Sequence, residues 1–379
     1  MILLIFFFWL SALMVFWTYF GYFLTLKLVS LMYTHRVDRR EFYPPITMVI
    51  TGYNEEKRIR QKLENTLELD YPKDKLEIIV VSDASTDRTE EIVREFEDRG
   101  IKLLRIEERH GKHYGQGRGI RMARNDLIVC SDVTTFLPPG AVARIISNFN
   151  DPTVGAVSSR DQVTTEDGQI EGEGAYVRYE MALRDLESKV GSLVGLSGSF
   201  FAVRKQLTTE WIDNMSSDFY TPIVTWKNGF RAIADPEAVG LYRVQRNPQK
   251  EFERKVRTVV HGLEVLFRFS YILNPFKYGR FSLQIISHKL MRWLVPFCLI
   301  ILFGLNTLLV DQGAVYRLTM ALQLAFYILV SLGLLFEKLQ AKTAFKIPVF
   351  FVMVNLSILV AWYKYLTGQE YVVWDATKR

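Results

Sequence analysis

The chain has 379 residues, 49% of them hydrophobic, and carries 47 Lys and Arg against 41 Asp and Glu, a net charge of +6. That length holds one large soluble domain or two smaller ones plus membrane-embedded mass. Cys130 and Cys298 supply neither a disulfide framework nor a metal-ligand spacing, which agrees with a reducing compartment, and no recognition motif accompanies the positive charge to suggest nucleic acid.

Hydrophobicity is unevenly spread. No charged side chain occurs from Met1 to Leu26, and further uncharged runs lie at Trp293–Val310, Leu318–Phe336 and Ile347–Tyr363. About 20 apolar residues cross a hydrocarbon core, so the first run spans with length to spare. A signal peptide would place its basic residues ahead of a shorter apolar core. Here Lys27, His35, Arg36, Arg39 and Arg40 follow the run, which puts its C-terminal end in the cytoplasm by the positive-inside rule. Lys338, Lys342 and Lys346 mark an inside loop by the same rule, so the hydrophilic middle is expected to be cytoplasmic. The basic residues cluster around membrane segments, where anionic headgroups attract them.

From Pro44 to Gly240 apolar runs alternate with helical patterns, the signature of a mostly parallel sheet flanked by helices. Strands are predicted at Ile46–Thr51, Leu76–Ser82, Ile101–Arg105, Leu127–Ser131, Val154–Ser158 and Ser199–Val203. Helices are predicted at Glu56–Leu67, Asp87–Phe96, Pro139–Phe149 and Tyr176–Val190. In such sheets ligands bind beyond the carboxyl ends of the strands. Tyr53, Asn54 and Glu55 follow the first strand, Asp83, Ser85, Thr86 and Asp87 the second, and Asp132 the fourth. A single Asp in such a place is a common helix cap, and Thr86 or Asp87 fits that role. Three polar clusters at successive strand ends point to a ligand.

Tyr53-Asn54-Glu55, Asp83-Ala84-Ser85-Thr86-Asp87, Gly111-Lys112, Ser131-Asp132, Gly195-Leu196-Ser197-Gly198, Ser217-Asp218, Arg257 and the tail Trp374-Asp375-Ala376-Thr377-Lys378-Arg379 occur in that order. With an N-terminal span and a C-terminal membrane cluster, the pattern resembles glycosyltransferase family 2, the inverting enzymes that include cellulose, hyaluronan and poly-N-acetylglucosamine synthases. The resemblance implies a GT-A fold, a Rossmann-like α/β domain with a mostly parallel sheet, joined to transmembrane helices. It assigns nucleotide binding to Thr51, Tyr53, Asn54, Glu55, Asp83, Ser85, Lys112, Ser131 and Asp132. Gly195, Ser197, Gly198, Ser217 and Trp374 fall on its acceptor side. The family holds Mg²⁺ or Mn²⁺ with an Asp-x-Asp motif. Asp132-Val133-Thr134 stands there, so Asp132 is the expected metal ligand and the second carboxylate is missing.

Ser217-Asp218 matches the family's acidic catalytic pair, at the start of a predicted helix, and makes Asp218 the expected general base for an acceptor hydroxyl. The other reading of Asp218 is an acidic residue in favourable contact with a helix dipole. Processive members carry Gln-x-x-Arg-Trp, where this chain has Arg254-Lys255-Val256-Arg257-Thr258. Arg254 and Arg257 are expected to offset diphosphate charge. Equally, they could form the basic face of an interfacial helix whose Val256, Val259, Val260, Leu263 and Leu266 enter the headgroup boundary. The stretch from Gly111 to Gly119 looks like a phosphate-cradling loop but lacks the Walker spacing, and Gly117 replaces the family's usual Asn.

The expected organisation is a transmembrane helix at 1–34, the catalytic domain at 44–250, interfacial helices at 251–283, about three transmembrane segments at 284–364 and a tail at 365–379. Four full crossings would put the tail outside, whereas Trp374-x-x-Thr377-x-Arg379 resembles a cytoplasmic tail of hyaluronan synthases. Either Ile347–Tyr363 is re-entrant or the tail match is accidental. Gln284, His288, Lys289, Arg292, Asn306, Gln323 and Asn355 suggest that the spans line a path for a glycan or lipid, against a plain anchor.

The function expected is transfer of a sugar from UDP-N-acetylglucosamine or UDP-glucose to a glycan or lipid acceptor, at the cytoplasmic face of the cell membrane, with polysaccharide-assembly proteins as further partners. A second expectation is a catalytically weakened partner subunit that binds nucleotide or glycan, supported by the incomplete Asp-x-Asp motif. A third, a transport component, has only the membrane runs behind it.

Overall fold

The computed structural model describes residues 1–164, 174–243, 248–340 and 342–369. The chain divides into two compact units, one of residues 1–25, 246–264 and 282–370 and the other of residues 26–245, 265–281 and 371–379.

The second unit is built on an eight-stranded sheet. Its strands are β1 (Ile46–Gly52), β2 (Leu76–Asp83), β3 (Ile101–Ile106), β4 (Leu127–Asp132), β5 (Thr135–Phe136), β6 (Val154–Thr164), β7 (Phe200–Arg204) and β8 (Arg231–Arg243). The order across the sheet is β3-β2-β1-β4-β7-β6-β8-β5. β1, β2, β3 and β4 run parallel, and β6 runs parallel to β8. β7 is antiparallel to both β4 and β6, and β5 is antiparallel to β8. The sheet is therefore mixed. Two of its strands, β5 and β8, were not expected from the sequence; in β8, Asp235, Pro236 and Glu237 interrupt the apolar pattern that would betray a strand.

All six expected strands form, and β6 extends six residues beyond its expected end to Thr164. β1 reads Ile-Thr-Met-Val-Ile-Thr-Gly, with residues 46–50 buried, the near-continuous apolar run of a strand covered on both faces. The sheet order reverses at β1, which has β2 on one side and β4 on the other. That is the switch point where a parallel sheet opens a crevice at its strand ends.

The first flanking helix starts at Ile59, three residues later than expected, because Glu55 and Glu56 are taken up by hydrogen bonds to the β2 end. Helix Lys112–Met122 was not expected at all. Its glycines explain the Gly-rich stretch. A methyl group on Gly115 would lie 2.5 Å from Thr51 Cγ2, and one on Gly119 would lie 2.5 Å from Val49 Cγ1. The glycines therefore let the helix approach β1, and only Gly111, at φ 94°, needs the left-handed region, where it turns the chain into the helix.

Among the described residues, four helices are long and apolar enough to cross a membrane: Ile2–Met32, Arg280–Gln312, Ala314–Leu335 and Thr343–Leu366. Phe8 packs with Leu302 and Leu309. The Asn306 amide lies 3.0 Å from both the Thr319 hydroxyl and the Gln323 amide, which satisfies polar groups that lipid would leave unpaired. Thr343–Leu366 is a continuous helix of 24 residues, and Asn355 spends its amide on Phe351 O at 2.9 Å. It lacks the break that a re-entrant segment requires. The helix Pro248–Arg268 is amphipathic; Val256, Val260, Leu263 and Leu266 on its apolar face are buried, and Val259 is half-buried.

Candidate active site

The loops at the carboxyl ends of β1, β2 and β3 are tied to one another. The backbone N–H of Asn54 donates to Ser85 Oγ at 3.1 Å, and the N–H of Thr86 donates to Asn54 Oδ1 at 2.8 Å. Glu55 N–H donates to Thr89 Oγ1 at 2.8 Å. Asp87, just ahead of helix Thr89–Arg94, accepts from the Thr89 N–H at 3.0 Å and from the Glu56 N–H at 3.0 Å. Asn54 and Ala84 both adopt left-handed backbone, at φ 52° and 58°. A non-glycine residue held there is strained, and such strain persists where the surroundings over-determine it. Tyr53 has the Arg109 guanidinium 3.8 Å above its ring. Glu55 is buried and pairs with Arg58 at 3.2 Å. Asp83, also buried, accepts from the N–H groups of His110 at 3.0 Å and Gly111 at 2.6 Å. The carboxylate thereby fixes the turn that leads into helix Lys112–Met122. Thr51 Oγ1 is buried without a hydrogen-bond partner.

Thr51 lies in register with Asp132 across the β1–β4 pair. Lys112 reaches over this edge, its Nζ 2.5 Å from Asp132 Oδ1 and donating to Gly198 O at 2.7 Å. The N–H of Asp132 donates to Ser199 O at 2.9 Å, which ties β4 to the segment ahead of β7. About 30% of the Asp132 side chain is still reached by solvent. Burial pushes its carboxyl above the usual range, Lys112 opposes that, the Asp161 carboxylate reinforces it and Lys62 opposes it. Beneath Asp132, the fully buried Lys62 donates to Ser131 Oγ at 2.8 Å and Thr135 O at 2.5 Å. Burial brings the Lys62 amine down to about 7. Burial likewise pushes the neighbouring Cys130 thiol up to about 12, which makes it an inert packing residue.

The residues expected on the acceptor side, Trp374 apart, gather against the same edge. Ser197 Oγ lies 2.7 and 2.8 Å from the Asp161 carboxylate oxygens, and Ser199 Oγ donates to Asp161 Oδ1 at 2.6 Å. Gly195 O accepts from Arg184 at 3.3 Å. Asp218 stands in the first turn of helix Ser217–Lys227; its Oδ1 takes the Ser216 hydroxyl, and its Oδ2 faces Gly198, where a methyl group would lie 3.4 Å away. Ser217 Oγ donates to Gln116 Oε1 at 2.9 Å, and its N–H to His113 Nδ1 at 3.3 Å. Lys112, Asp132, Gly198 and Asp218 thus form one contiguous constellation.

Asp161, Lys62, His113, Gln116, Arg109 and Arg184 were missed in the sequence. Lys62 had a signal: it shares the apolar face of its helix with Ile59, Leu63 and Thr66, all fully buried. Asp161 had none, because β6 was expected to end before it. Arg254 and Arg257 belong to the other compact unit. Arg254 is held by Glu251 through contacts of 2.9 and 2.8 Å. Burial raises the Glu251 carboxyl, but Arg254 and Lys255 overcome that and bring it to about 2. Trp374 lies outside the described residues.

A model of the family described as glycosyl transferase family 2 matches residues 47–212, from the start of β1 to beyond β7. Those residues are a glycosyltransferase family 2 domain. The chain is similar to poly-beta-1,6-N-acetyl-D-glucosamine synthase of Staphylococcus aureus, with 28% identity over 255 residues, 64% of this chain and 60% of the relative. The Staphylococcus epidermidis protein of the same description is 26% identical over 234 residues, 59% of this chain and 56% of the relative. The match therefore spans about 60% of the length of these curated relatives. Among solved structures, a mannosyltransferase from Pyrobaculum calidifontis in complex with GDP-Man and Mn²⁺ aligns with a TM-score of 0.72 at 22% identity, over 95% of this chain and all of that one. That likeness shows the GT-A fold.

Among the described residues no three His, Cys, Asp or Glu side chains come together as a metal cage. The donor set at Asp132 nonetheless suits a hard cation that keeps waters and substrate phosphates in its shell, since Mg²⁺ is commonly held by only one or two carboxylates.

Proposed function

We propose that the chain is an inverting membrane glycosyltransferase that moves a sugar from a UDP-sugar, UDP-N-acetylglucosamine first and UDP-glucose second, onto a glycan or lipid acceptor for polysaccharide or glycolipid synthesis. The observation that carries the reading is the adjacency of Asp132, Lys112, Gly198 and Asp218 at the ends of β4 and β7. The poly-N-acetylglucosamine synthase relatives support the choice of donor.

In this reading the loops after β1 and β2 hold the nucleotide, with Asp83 and Asn54 setting the loop geometry and Thr51 offering a buried hydroxyl. Asp132 would hold Mg²⁺ or Mn²⁺, with Thr134 as a neutral contributor. When bound, the ion acts as a Lewis acid on the diphosphate oxygens. Lys112 then turns its ammonium from Asp132 to the leaving diphosphate. Asp218 Oδ2 accepts the proton of the acceptor hydroxyl as that oxygen bonds to the anomeric carbon. The bond from that carbon to the diphosphate oxygen breaks, and the configuration inverts. Arg254 and Arg257 are further candidates to offset diphosphate charge. The basic residues that follow Met32 support a cytoplasmic catalytic domain.

The test is UDP release from the purified full chain, offered a panel of nucleotide sugars with Mg²⁺ or Mn²⁺ and with EDTA as control. Release from one donor that EDTA abolishes supports the proposal. The pairing of Lys112 with Asp132, where the family has two carboxylates, favours the weakened partner subunit as second reading. UDP binding with no release across the panel would select it.

A further inference from the structure

We propose that Lys62 is a positioning residue for the cation site: buried beneath the turn that carries Asp132, its amine holds that turn in the shape a divalent cation on the nucleotide diphosphate requires. The proposal rests on the reading of Asp132 as the metal ligand and adds to it a residue that touches neither cation nor nucleotide.

Helix Ile59–Leu67 turns Ile59, Leu63 and Thr66 inward, all fully buried, and Lys62 lies among them without exposure to solvent. An apolar side chain there would pack at no polar cost, whereas a buried amine is costly unless its donors are used. Both partners of this amine lie on one short segment. Nζ donates to Ser131 Oγ at 2.8 Å and to Thr135 O at 2.5 Å. Ser131 precedes Asp132 at the end of β4 and Thr135 begins β5, so the two contacts bracket Asp132, Val133 and Thr134. Three residues further along the helix, Asn65 repeats the pattern: its Nδ2 donates to Leu137 O at 2.9 Å, and its Oδ1 accepts from the Leu137 N–H at 2.9 Å. The helix is thus a splint along residues 131–137, and Lys62 is the part of it under the carboxylate. A metal ligand must be placed to within about 0.2 Å. Where two carboxylates share a cation, each corrects the other; Asp132 has no such partner, so its placement depends on the backbone that carries it. Groups behind a metal ligand that fix its orientation are typically worth about 10–100-fold in metal affinity.

The experiment is calorimetric titration of the full chain in detergent with UDP, in EDTA and across a series of Mn²⁺ concentrations. It compares wild type with Lys62→Met, Ser131→Ala, the double variant of these two, and Asp132→Asn. Lys62→Met should raise the Mn²⁺ concentration that half-saturates UDP binding by about tenfold or more, while UDP affinity in EDTA stays within twofold of wild type. Ser131→Ala should raise it several-fold, and the double variant should lose no more than Lys62→Met, because the two residues act through one contact. Wild-type Mn²⁺ dependence in Lys62→Met overturns the proposal, and so does a loss of UDP affinity as large in EDTA as in Mn²⁺, which is the mark of general damage to the fold. Ser131→Ala leaves the amine in place and tests the same contact should Lys62→Met not fold; unaltered Mn²⁺ dependence there also overturns the proposal. Asp132→Asn separates the two readings. If it keeps the wild-type Mn²⁺ dependence, Asp132 is not the metal ligand and the site reading falls; if it loses that dependence while Lys62→Met keeps it, only the positioning role of Lys62 falls.

Discussion

Lys62 should give this fold an alkaline-favouring stability term. The side chain is fully buried on the apolar face of helix Ile59–Leu67, and burial lowers its amine from 10.5 to about 7. Between those values the unfolded chain holds a proton that the folded chain does not. Stability must therefore rise with pH across the window from about 7 to about 10.5, and lose that contribution as pH falls towards the folded value. At 1.36 kcal/mol per pH unit, and with the folded titration rounding the lower end, the gain between pH 6 and 9 is about 2–3 kcal/mol. The neutral amine keeps two N–H donors for Ser131 Oγ and Thr135 O, so deprotonation leaves both hydrogen bonds in place. Lys62→Met removes the titration. Thermal unfolding of both proteins across pH 6–9, followed by tryptophan fluorescence, should show the wild-type midpoint rising relative to the variant by roughly 5–10 °C. Parallel pH profiles would refute the argument, because they would mean that Lys62 stays charged in the folded protein.

Asp218→Asn should lower turnover by about 10²–10⁴-fold, the range of a lost general base, while UDP affinity measured by calorimetry stays within twofold. Asp132→Asn should weaken Mn²⁺-dependent UDP binding as well as turnover, and unaltered rates in both variants would disprove the site. Asp161→Asn should loosen Ser197 and Ser199, raise the acceptor KM several-fold and shift the acid limb of metal-dependent UDP binding to lower pH, since Asp161 raises the Asp132 carboxyl. Gly119→Ala should destabilise the domain by about 1–3 kcal/mol in chemical denaturation, because the added methyl would lie 2.5 Å from Val49 Cγ1.

What the sequence made legible follows from how locally each feature is determined. The parallel strands β1 to β4 were readable because each is a short apolar run bounded by turns, and the residues at their ends follow from strand polarity alone. β8 was not, because Asp235 is fully buried there and charge-neutralised by Arg144, a partner 91 residues away. The Gly-rich stretch before Met122 shows the same limit in reverse. Its glycines imitate a phosphate loop by composition, yet their spacing of four places one face of a helix on Thr51 and Val49, which only the packed sheet reveals. Lys112 was expected near the nucleotide, but the sequence did not show it as the ammonium that engages Asp132. That pairing joins the ends of elements 20 residues apart, and it bears directly on the missing second carboxylate. A cation already seated on Asp132 lowers the need for a second acidic residue in the free protein. Charge balance within the site and loss of function both account for the departure from Asp-x-Asp, and the EDTA-controlled release experiment is where these two explanations part.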